Sequence, residues 1–379
     1  MKQDYEKFVK DNIDALTDFT YKMVTVPAPS LSEAARAELC MEWLRGIGAE
    51  GMYTDEMGNV IYPACKGRSG KWVIFSAHMD TVFATDVPLN IAREGDVVYC
   101  PGIGDDTANV TVMLYGAKWL AEHLPLDSEY GIMFVCTVCE EIGSRGIVKV
   151  IDDIGAENVY RFYSFDCSYE FIYPDAVNIR SKQITVTAPG GHALEAFGTP
   201  NAIEILSRIL CEASDKCREY IAELGSELTT FNAGIISGGT KRNIIAEKAT
   251  LDFEVRSDIK EYQEHLEAIF DETAASYRTD EVGVEICRMG KGPLWRTVDD
   301  ETVRLMTEEH EEILRSFGIE PIITKACTDC RYPMSRGIPS ICLGLCKAGD
   351  PHKLREYFYP DSLGDGLRIM ITLIMRYLN

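Results

Sequence analysis

Two histidines and a series of carboxylates close apolar runs along this chain. His78-Met79-Asp80 follows Trp72-Val73-Ile74-Phe75, and Asp105-Asp106 sits in a glycine-rich loop. Glu140-Glu141 comes after Ile132-Met133-Phe134-Val135, Asp166 after Tyr163-Ser164-Phe165, and His352 after Ile341-Cys342-Leu343. Imidazole and carboxylate together make a ligand set for divalent metals such as zinc. Glu140-Glu141 is the most telling pair, because adjacent carboxylates repel unless a cation neutralises one of them. One can bind metal while the other takes a proton from water that the ion acidifies, the division of labour of metal-assisted hydrolysis. The helical metalloprotease motif His-Glu-x-x-His is absent. The ligands therefore come from distant segments, and a rigid scaffold must assemble them.

Strand ends are the natural scaffold, since sites in open α/β sheets gather beyond the carboxyl ends of the strands. Helical spacing of Phe8, Val9, Ile13, Leu16, Phe19 and Met23 predicts a helix in 1–46, broken at Pro27-Ala28-Pro29-Ser30 and resumed over 34–47. Strands are expected at 59–63, 72–77, 131–138 and 160–165, with helices at 107–124 and 145–153 between them. Thr107 or Asp106 is expected to cap the first of these helices. The alternation argues for an α/β layer structure. Near Ser181 the pattern changes: strand 183–188, helix 200–220, strands 230–236 and 249–255, helix 258–277 and strand 282–289. That β-α-β-β-α-β order is ferredoxin-like. Helix 299–317, strand 338–344 and helix 363–378 then resume the first pattern. The expected fold is thus α/β: a mixed-sheet catalytic domain (1–180 and 293–379) with helices on both faces. A ferredoxin-like α+β domain (181–292) is inserted in it.

The chain has 379 residues, 46% of them apolar, enough for two well-cored domains. No apolar run approaches the ~20 residues that span a bilayer. The charged Met1-Lys2-Gln3-Asp4 start does not resemble an export signal, so a cytoplasmic protein is expected. A net charge of −22 opposes nucleic acid and anionic lipid as partners. The 13 cysteines are expected as reduced thiols. Cys136 and Cys139 lie on a predicted strand and face opposite sides, which excludes joint chelation. Cys327 and Cys330 fall in a predicted loop, where a redox role would require a disulfide. His123, His265 and His310 stand among charged residues on predicted helices and read as solvated faces.

Ser76-Ala77-His78-Met79-Asp80-Thr81-Val82-Phe83, Pro101-Gly102-Ile103-Gly104-Asp105-Asp106 and Cys139-Glu140-Glu141-Ile142-Gly143 resemble the zinc-dependent exopeptidase superfamily. That superfamily includes peptidase T, carboxypeptidase G, aminoacylase and acetylornithine deacetylase. The likeness continues through Pro189-Gly190-Gly191-His192, Phe197-Gly198-Thr199-Pro200, Gly238-Gly239-Thr240, Asn243, Glu254-Val255-Arg256-Ser257, Thr328-Asp329 and His352-x-x-x-Glu356. It implies two divalent ions, zinc or else cobalt or manganese. His78 and Asp166 would hold one ion, Glu141 and His352 the other, and Asp105 would bridge them. Asp80 would orient the His78 ring and Glu140 would be the general base, with a water bridging the ions as nucleophile. Asp106 would shape the turn. Glu356 reads either as a surface charge or as a partner of His352. His192, on the inserted lid, would stabilise the oxyanion, in many relatives across a dimer interface. Asn243, Arg256, Thr328 and Asp329 would contact substrate. The implied activity is hydrolysis of an amide in a small peptide, with an aminopeptidase on di- or tripeptides as the first reading. An N-acyl-amino-acid deacylase or carboxypeptidase is the second, and a homodimer through the lid is implied in either case. Lys325-Ala326-Cys327, Arg331 and the Cys346–Pro351 stretch depart from the family's glycine-rich pattern, so substrate choice is the least constrained property. A catalytically dead binding protein should lack the base or a ligand, and Glu140 and all five expected ligands are present.

Overall fold

The apolar runs that precede the candidate ligands become neighbours in one sheet. In the computed structural model, Gly131–Thr137, Trp72–His78, Val159–Phe165 and Ser340–Leu343 lie side by side and all run parallel. Their carboxyl ends therefore share one edge. The structure describes residues 2–124, 128–290, 292 and 294–378. They form two compact units, Met1–Ala176 with Arg296–Asn379, and Val177–Trp295.

The sheet of the first unit has eight strands. Tyr53–Thr54 and Val60–Cys65 add antiparallel on one side, and Phe171–Ala176 and Ile322–Ala326 extend the other. Every residue of Gly131–Thr137 is buried, so both faces of the sheet are covered there. Helix Ala108–Ala121 lies on the strands and packs against Lys2–Val24 and Leu363–Met375. A small antiparallel sheet of Ala92–Glu94, Val97–Tyr99, Tyr357–Tyr359 and Lys347–Gly349 has no counterpart in the sequence reading. Its three-residue strands are too short to show a period. It matters because Lys347–Gly349 pairs with Tyr357–Tyr359 and so places His352 in the intervening loop.

The second unit is a four-stranded antiparallel sheet ordered Thr230–Gly238, Lys248–Ser257, Asn178–Thr187, Gly283–Met289. Helices Ala202–Leu224 and Lys260–Ser276 complete the β-α-β-β-α-β order. The burial of Asn178–Thr187 alternates residue by residue, and Ile184, Val186, Leu206, Leu251, Phe253 and Phe270 share one core.

His310 corrects one expectation. It is fully buried, with Nδ1 at the carbonyl of Met306 and its ring 5.4 Å from that of Tyr163. Glu308, Glu309 and Glu311 disguise it in the sequence, but Met306, His310, Ile313 and Leu314 form the buried stripe of that helix. His123 is half-buried and stacks 4.3 Å from Trp119, while His265 stays exposed beside Tyr220. All 13 cysteines are free thiols. Among the described residues, no helix is long and apolar enough to cross a membrane.

Candidate metal centre

His78 ends its strand, and its Nε2 lies 3.0 Å from Asp105 Oδ1. The other oxygen of Asp105 is 3.1 Å from His352 Nε2, which is also 3.1 Å from Glu141 Oε1. Asp105 thus stands between the two imidazoles. Ligand atoms of His78, Asp105 and Glu141 lie within 4.8 Å of one another, as do those of His78, Asp106 and Asp166. Buried carboxylates at this density need positive charge nearby, and the imidazole-carboxylate set suits borderline divalent ions. The residues present fit such a centre.

Asp106 belongs to the second cluster, yet its oxygens already accept the His78 N–H at 2.9 Å and the Asn109 amide at 2.6 Å. It ties the His78 strand end to the loop rather than capping the helix. Thr107 occupies the cap position without a side-chain cap bond; its hydroxyl donates to the carbonyl of Gly102 instead. Among the described residues the Asp105 carboxylate accepts no backbone N–H or amide, and its two oxygens face the histidines.

Asp80 differs in detail from its expected role. The near partner of His78 Nδ1 is the Asp80 carbonyl at 3.1 Å, with the carboxylate at 3.5 Å. That carboxylate accepts Ser30 Oγ at 2.6 Å and the N–H groups of Glu140 and Glu141 at 3.0 and 3.2 Å. One buried side chain therefore holds a ligand's backbone, the next ligand and the candidate base. Glu33 adds to this by accepting the Cys139 N–H at 3.0 Å.

Glu140 carries no side-chain hydrogen bond among the described residues. Burial pushes its carboxyl well above the ordinary range; His78 opposes this, while Asp329 and Asp166 add to it. Burial, then the charge of Asp105, pushes Asp166 up to about 7. Asp105 goes the other way: burial raises it, but hydrogen bonds with His352 and His78 outweigh that and hold it low. Those with Asp105 and Glu141 lift His352 to about 10.

Glu356 is no surface charge. It is 1% exposed and accepts three backbone N–H groups, those of Gly102 at 2.8 Å, Gly104 at 2.7 Å and Asp105 at 2.8 Å. Burial pushes its carboxyl up to about 8, with Asp105 adding, against those donors. It holds the Asp105 loop and has no direct bond to His352. Asn109 and Arg36 escaped the sequence reading. The Asn109 amide reaches Asp106 and the carbonyl of Cys167 at 3.1 Å, and its oxygen accepts the Leu345 N–H at 2.6 Å. Arg36, wholly buried, bonds the carbonyls of Val26 and Met79 and the Thr107 hydroxyl. The available signal was a polar residue inside an apolar helical run. Cys139, Ser144, Cys167, Asp350 and His352 all take positive φ, between 56° and 65°, next to or at the ligands. Such backbone strain concentrates at functional sites.

Thr328 and Asp329 are 2% and 1% exposed, and Asp329 Oδ2 accepts the Thr137 hydroxyl at 2.8 Å. In the second unit, His192 pairs with Ile244, and Ala193 N–H donates to Asn243, which brings His192 and Asn243 together. Gly190 and Gly191 before it adopt φ of 72° and 140°, which favour glycine. Arg256 pairs with Ile179 and Thr230 near the opposite end of the sheet, ion-paired with Glu254 at 2.7 Å. At ~3.3 Å per residue it lies roughly 26 Å from Lys248, the strand end nearest His192.

The model of Peptidase family M20/M25/M40 matches residues 74–376. Carboxypeptidase G2 from Pseudomonas sp. (strain RS-16) is 28% identical over 330 residues, covering 84% of this chain and 77% of that protein. The aminopeptidase PepT from Bacillus cereus ATCC 10987 superposes with a TM-score of 0.68 at 20% identity, over 97% of this chain and 99% of the other. A Bacillus subtilis protein described as a dinuclear metal binding peptidase gives 0.66 at 16% identity, over 98% and 100%. These two structures share the fold. The match spans all the candidate ligands, and the chain belongs to Peptidase family M20/M25/M40, as a hydrolytic metallopeptidase.

Proposed function

We propose that this protein is a dinuclear metal-dependent aminopeptidase acting on di- or tripeptides. The observation that carries the hydrolytic part of this reading is the Glu140 carboxylate, without a hydrogen bond among the described residues, beside a candidate ligand cluster whose other acids are engaged. His78, Asp105 and Asp166 would hold one ion, and Asp105, Glu141 and His352 the other. Zinc is the proposed metal, with cobalt or manganese as substitutes. Bound there, the ions would polarise the scissile carbonyl and acidify water. Glu140 would take the proton from the attacking water and deliver it to the leaving amine. His192, whose Nδ1 accepts the Leu194 N–H, would offer Nε2 to a developing oxyanion. Asn243 and Arg256 are proposed to contact substrate. Thr328 and Asp329 would act from behind, through Thr137 in the case of Asp329.

The His192–Asn243 pair lies far from Arg256 along the sheet, which supports a homodimer through Val177–Trp295, with one end of the lid serving the partner's site. Free thiols throughout support a cytoplasmic location. A carboxypeptidase or deacylase is the second reading, favoured by the identity to carboxypeptidase G2. Arg256, whose Nε is paired with Glu254 at 2.7 Å, would serve a substrate carboxylate in either reading and does not separate them. A panel of free, N-blocked and C-blocked dipeptides separates the two: an aminopeptidase rejects the blocked amine, and a deacylase accepts it. Glu140→Gln should lose at least about a hundredfold in kcat with metal content unchanged. Full activity in that variant would remove Glu140 from the mechanism.

A further inference from the structure

Next to Asp105 the first unit contains a cavity of ≈ 270 Å³, walled by Cys167, Phe171, Tyr173, Ala348 and Pro351. At ~30 Å³ per water it has room for about nine waters, or one large side chain. The Phe171 and Tyr173 rings stack at 6.0 Å and form an aromatic wall. Polar groups along the lining are already engaged. Ser168 Oγ bonds Glu170 and accepts the Ala348 N–H, Asp350 is paired with Lys353, and the Cys167 thiol donates to Asp166. Glu356 is filled by its three backbone donors. Among the described residues, no lysine or arginine lines the cavity.

We propose that this cavity receives an aliphatic or aromatic side chain of the residue flanking the scissile amide, so that the enzyme selects apolar residues there. The inference rests on the peptidase reading and adds the substrate class to it. Asp105 fixes the location, because a group in this cavity lies against a ligand of the reacting centre. Apart from the ions that Asp105 would hold, a carboxylate would find no cation along these walls, and an ammonium would find only acids that are already bonded.

The test uses the metal-loaded enzyme with Xaa-Gly and Gly-Xaa dipeptides in which Xaa is Leu, Phe, Glu or Lys. In one of the two series, kcat/KM for Leu and Phe should exceed that for Glu and Lys by at least about tenfold. Phe171→Arg should narrow the gap between Phe and Glu, by bringing a cation to the wall. Equal rates, or a preference for Glu or Lys, would overturn the inference while leaving the peptidase reading intact. If no dipeptide turns over, the peptidase reading falls instead. The cavity is then judged by calorimetric titration with free phenylalanine and glutamate, where tighter binding of glutamate or equal affinity counts against it.

Discussion

Asp80→Asn should damage this protein more than any change to a single hydrogen bond at the site. The carboxylate is wholly buried and divides its oxygens between two jobs. Oδ1 accepts the Glu140 N–H at 3.0 Å and faces His78 Nδ1, while Oδ2 accepts Ser30 Oγ at 2.6 Å and the Glu141 N–H at 3.2 Å. Asparagine keeps one oxygen. Wherever its amide nitrogen goes, it meets a backbone N–H, of Glu140 or of Glu141, donor against donor. One bond to a charged acceptor, ~1.5–3 kcal/mol, is lost, and a buried donor is left unpaired at ~1–3 kcal/mol. Part of this is offset because a neutral amide costs less to bury, so a net loss of roughly 2–4 kcal/mol is expected. Ser30→Ala, which removes one donor and keeps the charge, should cost only about 1 kcal/mol. Metal affinity should fall by roughly 10–100-fold in Asp80→Asn, since the groups that orient metal-binding histidines carry about that effect. Urea titration of the metal-free proteins measures the first quantity, and metal release to a chromophoric chelator measures the second. If Asp80→Asn stays within about 0.5 kcal/mol of wild type and holds metal as tightly, the cross-bracing argument is wrong.

Glu356→Gln should destabilise by roughly 2–3 kcal/mol and weaken metal binding, because one of three backbone donors then faces an amide nitrogen. Unchanged metal retention would show that the Asp105 loop holds itself. Burial depresses His310 to about 4, below its ordinary value, so the unfolded chain binds the proton first as pH falls. Stability is thus present above ~6.5 and lost progressively as pH falls toward 4, by up to roughly 3 kcal/mol. His310→Leu should flatten the drop in urea midpoint between pH 7 and pH 5, and an unchanged drop would refute this. Mixing inactive Glu140→Gln and His192→Ala proteins should restore about a quarter of wild-type activity if His192 serves the partner's site, since half of random dimers carry one intact centre. No recovery in a mixture shown to exchange subunits would place His192 in its own chain's site.

The placement of the candidate ligands was legible because their carriers were regular. Trp72–His78 and Gly131–Thr137 are unbroken apolar runs, and a residue just past such a run in a parallel sheet has one place to go. Phe171–Ala176 and Ile322–Ala326 were missed, since they carry neither a long apolar run nor an alternating pattern. Glu356 was visible as a motif position, yet its function depends on burial that Lys353, Leu354 and Arg355, all exposed neighbours, give no hint of. Asn109 shows the limit most clearly. Its oxygen serves Leu345, far along the chain, and nothing local in Ala108–Ala121 announces that partner.

The contacts that hold the candidate ligands run between loops rather than along the strands. Asp106 joins the His78 strand end to the Asp105 loop, and Asp80 joins it to Glu140-Glu141. Asn109 joins the Asp105 loop to Cys167 and Leu345, and Glu356 joins it to the hairpin of His352. This pattern accounts for the positive φ at Cys139, Cys167 and His352. A loop in a disfavoured conformation persists only where its surroundings over-determine it. Each of these loops carries a proposed ligand and is tied to at least one other such loop, through His352's contact with Glu141 as well as through the bracing residues. Metal affinity is therefore a property of the braced set, and bracing substitutions on different loops should couple rather than add. The sheets bring the proposed ligands together; residues such as Asp80, Asn109 and Glu356 fix how far apart they stand there.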